Sequence, residues 1–332
     1  MNRFRVLKRW ESGLLVLLAI VVIAGTLKDS SLLGSYNLQT MALNNTVLAL
    51  LAVGVAPVII TSDIDISIAS MLALCGVVMA RLWTGGMDIW LAAVIAISLG
   101  GVLGVINGMF VVLLELPALA VTLGTMGAYT GVAFLILKGQ AITNFPSGLV
   151  ALGSGNIHGT QIPTAAVVVL GLAAVLGFVV HFTSYGRSLF AVGSNRQAAL
   201  FSGIPVVRTR MIAFVISGLF AGLAAVFYLG NYDTAQATIA NDQLLPAITA
   251  VILGGVSAYG GTGTIPGVVI AVILLALLQG ALGLAGVSGQ AQTIAIGALL
   301  IIAIGAGTGI QAASRLRRPH RTALPDQQLT SG

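Results

Sequence analysis

Charge is scarce in this sequence. Asp, Glu, Lys and Arg make up 7% of its 332 residues, against about 25% in a typical soluble domain, and the mean hydropathy is +1.05. A soluble fold is excluded. Cysteine is nearly absent too: Cys75 is the only one and lies inside an apolar run, so a disulfide framework or a thiolate metal cluster cannot be built from this chain alone, and a buried packing role is expected. Lysine occurs only at Lys8, Lys28 and Lys138, none of them followed by Ser or Thr. The phosphate-binding P-loop is therefore missing, and any ATP must be hydrolysed by another chain. His158 has no second histidine or acid at ligand spacing, so no metal site is expected. With nine acidic residues and no Ser/His/Asp set or paired carboxylates at usable spacing, neither a catalytic residue nor a cofactor is expected.

What the sequence does have is long apolar runs. A bilayer core about 30 Å thick needs about 20 mostly apolar residues per helix, which leaves room for roughly ten spans. The runs fall near 11–28, 43–61, 66–83, 89–113, 117–137, 164–182, 211–230, 244–256, 264–284 and 291–310, the eighth being short. A membrane barrel would alternate polar and apolar over segments of about ten residues, whereas these runs are continuous. The expected fold is all-α, a polytopic bundle of about ten transmembrane helices. Basic residues precede the first run, but no small-residue cleavage pattern follows it, so it reads as an uncleaved span.

With the N-terminus in the cytoplasm and an even number of spans, both termini are cytoplasmic. Twelve of the 15 basic residues then fall inside: Arg3, Arg5, Lys8 and Arg9, then Arg187, Arg196, Arg208 and Arg210, then Arg315, Arg317, Arg318 and Arg321. Only Lys28, Arg81 and Lys138 fall outside, a strong positive-inside bias. The net charge of +6 thus reports orientation in the lipid bilayer, and no nucleic acid is expected as a partner. The domain reading is a cytoplasmic tail at 1–10, a transmembrane unit at 11–310 with a cytoplasmic loop at 183–210, and a cytoplasmic tail at 311–332. The main external connection, 138–163, reads as a loop with a short surface helix.

Glycines recur four apart as Gly100, Gly104 and Gly108, as Gly127 and Gly131, and as Gly218 and Gly222. Such faces let helices approach closely in lipid, where apolar burial drives no association. Between the second and third runs stands Thr61-Ser62-Asp63-Ile64-Asp65-Ile66-Ser67-Ile68-Ala69-Ser70. A carboxylate at a helix centre costs about 2.5–3.5 kcal/mol on insertion scales, so Asp63 and Asp65 belong at an interface, in a polar cavity or at a helix start. Asp65 or Ser67 could cap the next helix; a role in a pathway or gate is the alternative. The acids are expected at the periphery, with no pair of opposite charges inside the bundle.

A second break, 254–267, carries Gly254, Gly255, Gly260, Gly261 and Gly263. Irregular backbone is tolerated at membrane depth only where protein or a water-filled cavity covers it, so a tight or unwound segment is expected inside the bundle or at its cytoplasmic mouth. In the 183–210 loop, Ser194 or Asn195 as N-cap and Gly203 as left-handed stop delimit a short helix carrying Ala198, Ala199, Leu200 and Phe201. That face suits either a partner's groove or the membrane surface.

Several blocks, in order, resemble the ten-span permeases of ribose-type monosaccharide ABC importers, which share ancestry with branched-chain amino-acid permeases. They are Asp63-Ile64-Asp65-Ile66-Ser67-Ile68-Ala69-Ser70, Gly104-Val105-Ile106-Asn107-Gly108, Leu116-Pro117 with Val121-Thr122-Leu123-Gly124-Thr125-Met126, Tyr185-Gly186-Arg187 with Ala191-Val192-Gly193-Ser194-Asn195, Ser202-Gly203-Ile204, and Gly254-Gly255-Val256-Ser257 with Gly260-Gly261-Thr262-Gly263-Thr264. The likeness covers about 10–312. It implies the plasma (inner) membrane, two permease copies or a pair of paralogues, two cytoplasmic ATPase subunits and an extracytoplasmic solute-binding protein. It makes 194–204, with Ser194, Asn195, Arg196, Ala198, Leu200, Phe201 and Gly203, the ATPase-coupling helix, and Asp63, Asp65, Ser67, Asn107, Thr122 and Thr125 candidates for the pathway or gate. The block Pro246-Ala247-Ile248-Thr249-Ala250-Val251 is similar to permeases for the autoinducer-2 furanosyl signal.

The sequence departs from the usual Gly-Gly-Ile-Asp-Leu-Ser-Val-Gly-Ser by placing Ser62, Asp63 and Ala69 where glycines are common. Arg196 and Gln197 stand where acids are common, which removes or reverses a macrodipole contribution of roughly 0.3–1 kcal/mol. Arg196 is expected to meet an acidic groove on the ATPase. The mechanism implied is alternating access driven by ATP; the rival readings are an ion-coupled secondary transporter, with Asp63 and Asp65 as coupling acids, and a passive channel or scaffold.

Overall fold

A computed structural model describes residues 3–239 and 242–316. The fold is helical, as expected. In chain order the helices are α1 (Arg3–Lys28), α2 (Ser35–Asn44), α3 (Thr46–Ile60), α4 (Ile68–Thr84), α5 (Ile89–Gly108), α6 (Ala118–Leu137), α7 (Ser147–Ser154), α8 (Thr164–Phe182), α9 (Ser184–Ser194), α10 (Arg196–Phe201), α11 (Val206–Tyr232), α12 (Leu244–Leu253), α13 (Ile265–Leu284) and α14 (Gly289–Leu316). Each of the ten apolar runs falls on one of these helices. Among the described residues six helices are long and apolar enough to cross a membrane, α2 and α3 pass that test jointly across a 46° bend, and α4, α12 and Gly289–Ala303 of α14 are shorter apolar helices. Arg317, Arg318, Arg321 and most of the expected C-terminal tail lie outside the described residues, and α1 already begins within the expected N-terminal one.

The centre is α3, every residue of which is buried, as a helix apolar all round should be. Around it, α11 packs against α5, α3, α4 and α7. The α5–α11 crossing is close because glycine meets glycine: a Cβ on Gly100 would collide with the Gly218 carbonyl, and one on Gly104 with that of Phe214. Gly127 and Gly131 behave otherwise, with nothing within 4 Å of where a Cβ would stand. Their face on α6 packs on no helix of the described residues. Cys75 is fully buried and unbridged, as expected. On α6, α8 and α14, Leu135, Phe178, Phe182 and Ile301 point outward, the arrangement that a lipid solvent permits.

The 138–163 connection contains the expected short helix at the surface, with Ser147, Gly148 and Ala151 exposed. Its other face anchors α7 to the bundle: Leu149 is fully buried, and Gly153 abuts the Gly230–Asn231 backbone of α11. The connection is held to the one after α11 by a two-residue antiparallel pairing of β1 (Ile142–Thr143) with β2 (Thr234–Ala235). The Phe145 amide also donates to Asp233 at 2.7 Å.

Candidate functional site

The break between α3 and α4 gathers most of the buried polarity. As α3 ends, the Thr61 hydroxyl donates to the Val58 carbonyl at 2.7 Å. Ser62 then takes a left-handed conformation at φ 67°, the geometry for which glycine is the usual residue. Its hydroxyl lies 3.0 Å from the Gly193 carbonyl and 2.8 Å from that of Tyr259, donating between them. That hydroxyl thus ties the turn to the end of α9 and to the glycine segment after α12.

Asp63 and Asp65 are 5% and 0% exposed, so the expectation of peripheral acids is overturned. So is that of no internal charge pair: Arg210, in the second turn of α11, donates Nε to Oδ2 and Nη2 to Oδ1 of Asp63, both at 2.8 Å. Paired fork to fork, the two charges satisfy one another's geometry, and the Arg210 side chain is only 6% exposed. A second guanidinium, that of Arg196, reaches Asp63 Oδ1 at 3.4 Å while 46% exposed. Arg196 thus has an acid within its own chain. Asp63 and Arg196, the two residues singled out in the sequence as departures from the pattern it resembles, thus meet each other.

Asp65 is held by neutral donors instead. Its Oδ1 accepts from the Ser67 amide at 3.0 Å and the Ser67 hydroxyl at 2.6 Å, and its Oδ2 from Ser217 of α11 at 3.0 Å. Asp65, rather than Ser67, therefore supplies the side-chain bond at the start of α4. The network continues outward: Asn107 Nδ2 donates to Ser67 Oγ at 2.8 Å, and the Tyr129 hydroxyl of α6 donates toward Asn107 Oδ1 at 3.1 Å. Thr122 joins the same turn through the Ile64 carbonyl at 3.2 Å. Thr125 sits a turn further on and donates to the Thr122 carbonyl at 3.4 Å. Just beyond Asn107, α5 passes into a π-helical turn, Met109–Leu113, a distortion frequent at functional positions. Every buried side-chain polar atom among the described residues has a partner, which is what a low-dielectric interior demands.

The loop helix forms as its local residues dictate. Asn195 is the N-cap, accepting from the Ala198 amide at 2.9 Å. At the other end Gly203 stands at φ 75°, its amide donating to Leu200 at 3.0 Å and that of Ile204 to Ala199 at 3.1 Å; this is a Schellman stop. Ala199 turns inward onto Val192 and Val206, leaving Leu200 61% and Phe201 88% exposed. Beside them lies an apolar groove of about 430 Å³ lined by Leu200, Ile204, Pro205, Val207 and Met211.

The glycine segment divides in two. Gly255, Gly260, Gly261 and Gly263 all have positive φ; the Gly261 amide donates to the Ile60 carbonyl at 2.9 Å, placing the second half against the 61–63 turn and Ser194. Gly254 abuts α13, and Gly255 abuts Trp10 of α1. There α1 is fastened: Trp10 donates to the Leu253 carbonyl at 2.9 Å, and the Thr264 hydroxyl to Glu11 at 2.8 Å. Among the site residues, Ser62, Tyr129, Arg210 and Ser217 escape sequence reasoning. Arg210 gave a signal, as a cation at the very start of an apolar run, but positive-inside orientation accounted for it.

Residues 37–304 match the model of the family described as branched-chain amino acid transport system / permease component. The chain is 32% identical over 302 residues to the Autoinducer 2 import system permease protein LsrD of Escherichia coli (strain K12), and equally to those of Shigella flexneri and Escherichia coli O157:H7. These alignments cover 89% of this chain and 91% of each relative. No solved structure matches it.

Proposed function

Because the chain belongs to the permease component family of branched-chain amino acid transport systems, we propose that it forms the membrane passage of a binding-protein-dependent ABC importer for a small sugar or sugar-like solute, autoinducer 2 being the first to test. It is a multi-pass protein of the inner membrane and a transport component. The observation that carries the solute class is the identity to autoinducer 2 import permeases along 89% of the chain. In this reading α10 is the coupling helix: it presents Leu200 and Phe201, with the adjoining apolar groove, to a cytoplasmic ATPase subunit. A second permease copy or a paralogue completes the passage, and an extracytoplasmic binding protein delivers the solute.

Transport proceeds by alternating access. The Asp63–Asp65 turn receives the motion of α9, and of α10 joined to its end, through Ser62, and passes it to α4, α5 and α6 through Ser67, Asn107, Thr122 and Tyr129. A nucleotide shifts such an equilibrium only by its differential affinity for the two states, so α10 must meet the ATPase differently in each. The test is uptake into proteoliposomes holding this chain, a partner ABC ATPase and solute-binding protein, and internal ATP. Labelled autoinducer 2 or ribose should accumulate only with ATP and the binding protein; accumulation driven by a proton gradient in vesicles lacking the ATPase would identify an ion-coupled transporter instead.

A further inference from the structure

Asp63 is shared unequally. Arg210 takes both of its oxygens at 2.8 Å from a buried position, whereas Arg196 reaches one of them at 3.4 Å and is 46% exposed. Charge-assisted N–H···O bonds settle at about 2.7–2.9 Å, so the Arg196 contact is long, and a half-exposed ion pair of this kind contributes little to stability. The cluster carries two cations for one anion. Arg196 therefore has charge and N–H donors to spare for a second acceptor, and its departure would leave Asp63 fully paired. Arg196 is also the first residue of α10, whose six residues rest on a small patch of Val192, Ala199 and Val206 separate from the main core.

From this geometry we infer that Arg196 is an exchanging contact. It rests on Asp63 while α10 is free, and transfers to a carboxylate of the ABC ATPase when α10 docks, leaving Arg210 as the cation on Asp63. The inference rests on the reading of α10 as the ATPase-facing helix and adds the chemistry of the group that receives it. The exchange makes the 61–65 turn sensitive to the docked state: Asp63 accepts from two α10–α11 cations in one state and one in the other. It is a positioning role, acting on the turn rather than on solute.

The experiment uses the complete importer in nanodiscs, with its ABC ATPase, and measures permease–ATPase affinity across a salt series together with stimulation of ATP hydrolysis by solute-loaded binding protein. Arg196→Gln should weaken association about threefold to tenfold at low salt, as loss of one interfacial charge pair does, flatten its salt dependence and reduce stimulation. Arg196→Glu should weaken it further, and Arg196→Lys should recover most of the wild-type salt slope. Melting of the isolated permease should not move with Arg196→Gln, since Arg210 holds Asp63. Wild-type affinity and an unchanged salt slope in Arg196→Gln would overturn the exchange while leaving the importer reading intact. Failure of the wild-type chain to bind the ATPase at all would overturn both.

Discussion

Asp63 and Arg210 form a charge pair withdrawn from water, and such pairs are asymmetric in their energetics: removing one partner strands the other. Asp63→Asn should therefore cost about 3–5 kcal/mol of stability, whereas Asp63→Leu combined with Arg210→Met should recover most of it. Heat or detergent unfolding of the purified chain checks this; a single variant as stable as the double would show that the pair is not desolvated as the geometry requires. Legibility at this scale was partial. Asp63 and Arg196 were each visible as residues out of place, yet nothing local reveals that positions 133 apart in sequence meet. Ser62 was visible only as a lost glycine. That its hydroxyl fastens a strained backbone, of the kind costing on the order of 1–3 kcal/mol, to two other segments depends on the fold.

Among the elements, those governed by local rules were the legible ones. Helix α10 follows from Asn195 and Gly203, whose capping roles are set by their immediate neighbours. Helix α7 was legible as a short surface helix, but its docking was not, because the burial of Leu149 is decided by α11, some 80 residues away in the chain. Glycine spacing was ambiguous for the same reason: four-apart glycines permit close approach without naming a partner. The structure separates the cases. Gly100→Ala pushes a methyl into the Gly218 backbone and should cost on the order of 1–3 kcal/mol, as overpacking does. Gly127→Ala meets open space and should be neutral, or stabilising by up to about 1 kcal/mol from helix propensity. Melting of the two variants in detergent should split them; equal losses would place an unseen contact on the Gly127 face of the purified protein.

For the whole molecule, composition and the placement of apolar runs carried the all-α membrane fold, because a bilayer leaves few alternatives. Orientation is a separate matter, read from twelve basic residues on one side and open to direct measurement. An alkaline phosphatase fusion at Gly159 should be active and one at Ser202 inactive; the reverse pattern would invert the bundle and remove α10 from the ATPase side. The site itself was the least legible part, since it is assembled from turns and helices spread from residue 60 to residue 263.

The fastening of α1 bears on how such a chain is made. Trp10 and Glu11 are bonded to residues 243 and 253 positions later. During synthesis the first helix is made long before Leu253 and Thr264 exist, so these two bonds must wait until those residues are added. Contacts of such sequence separation close late, and here the latecomer is the glycine segment that also abuts the 61–63 turn. The order of assembly therefore withholds the finished turn, and with it the candidate gate, until α12 and the glycine segment after it have been made.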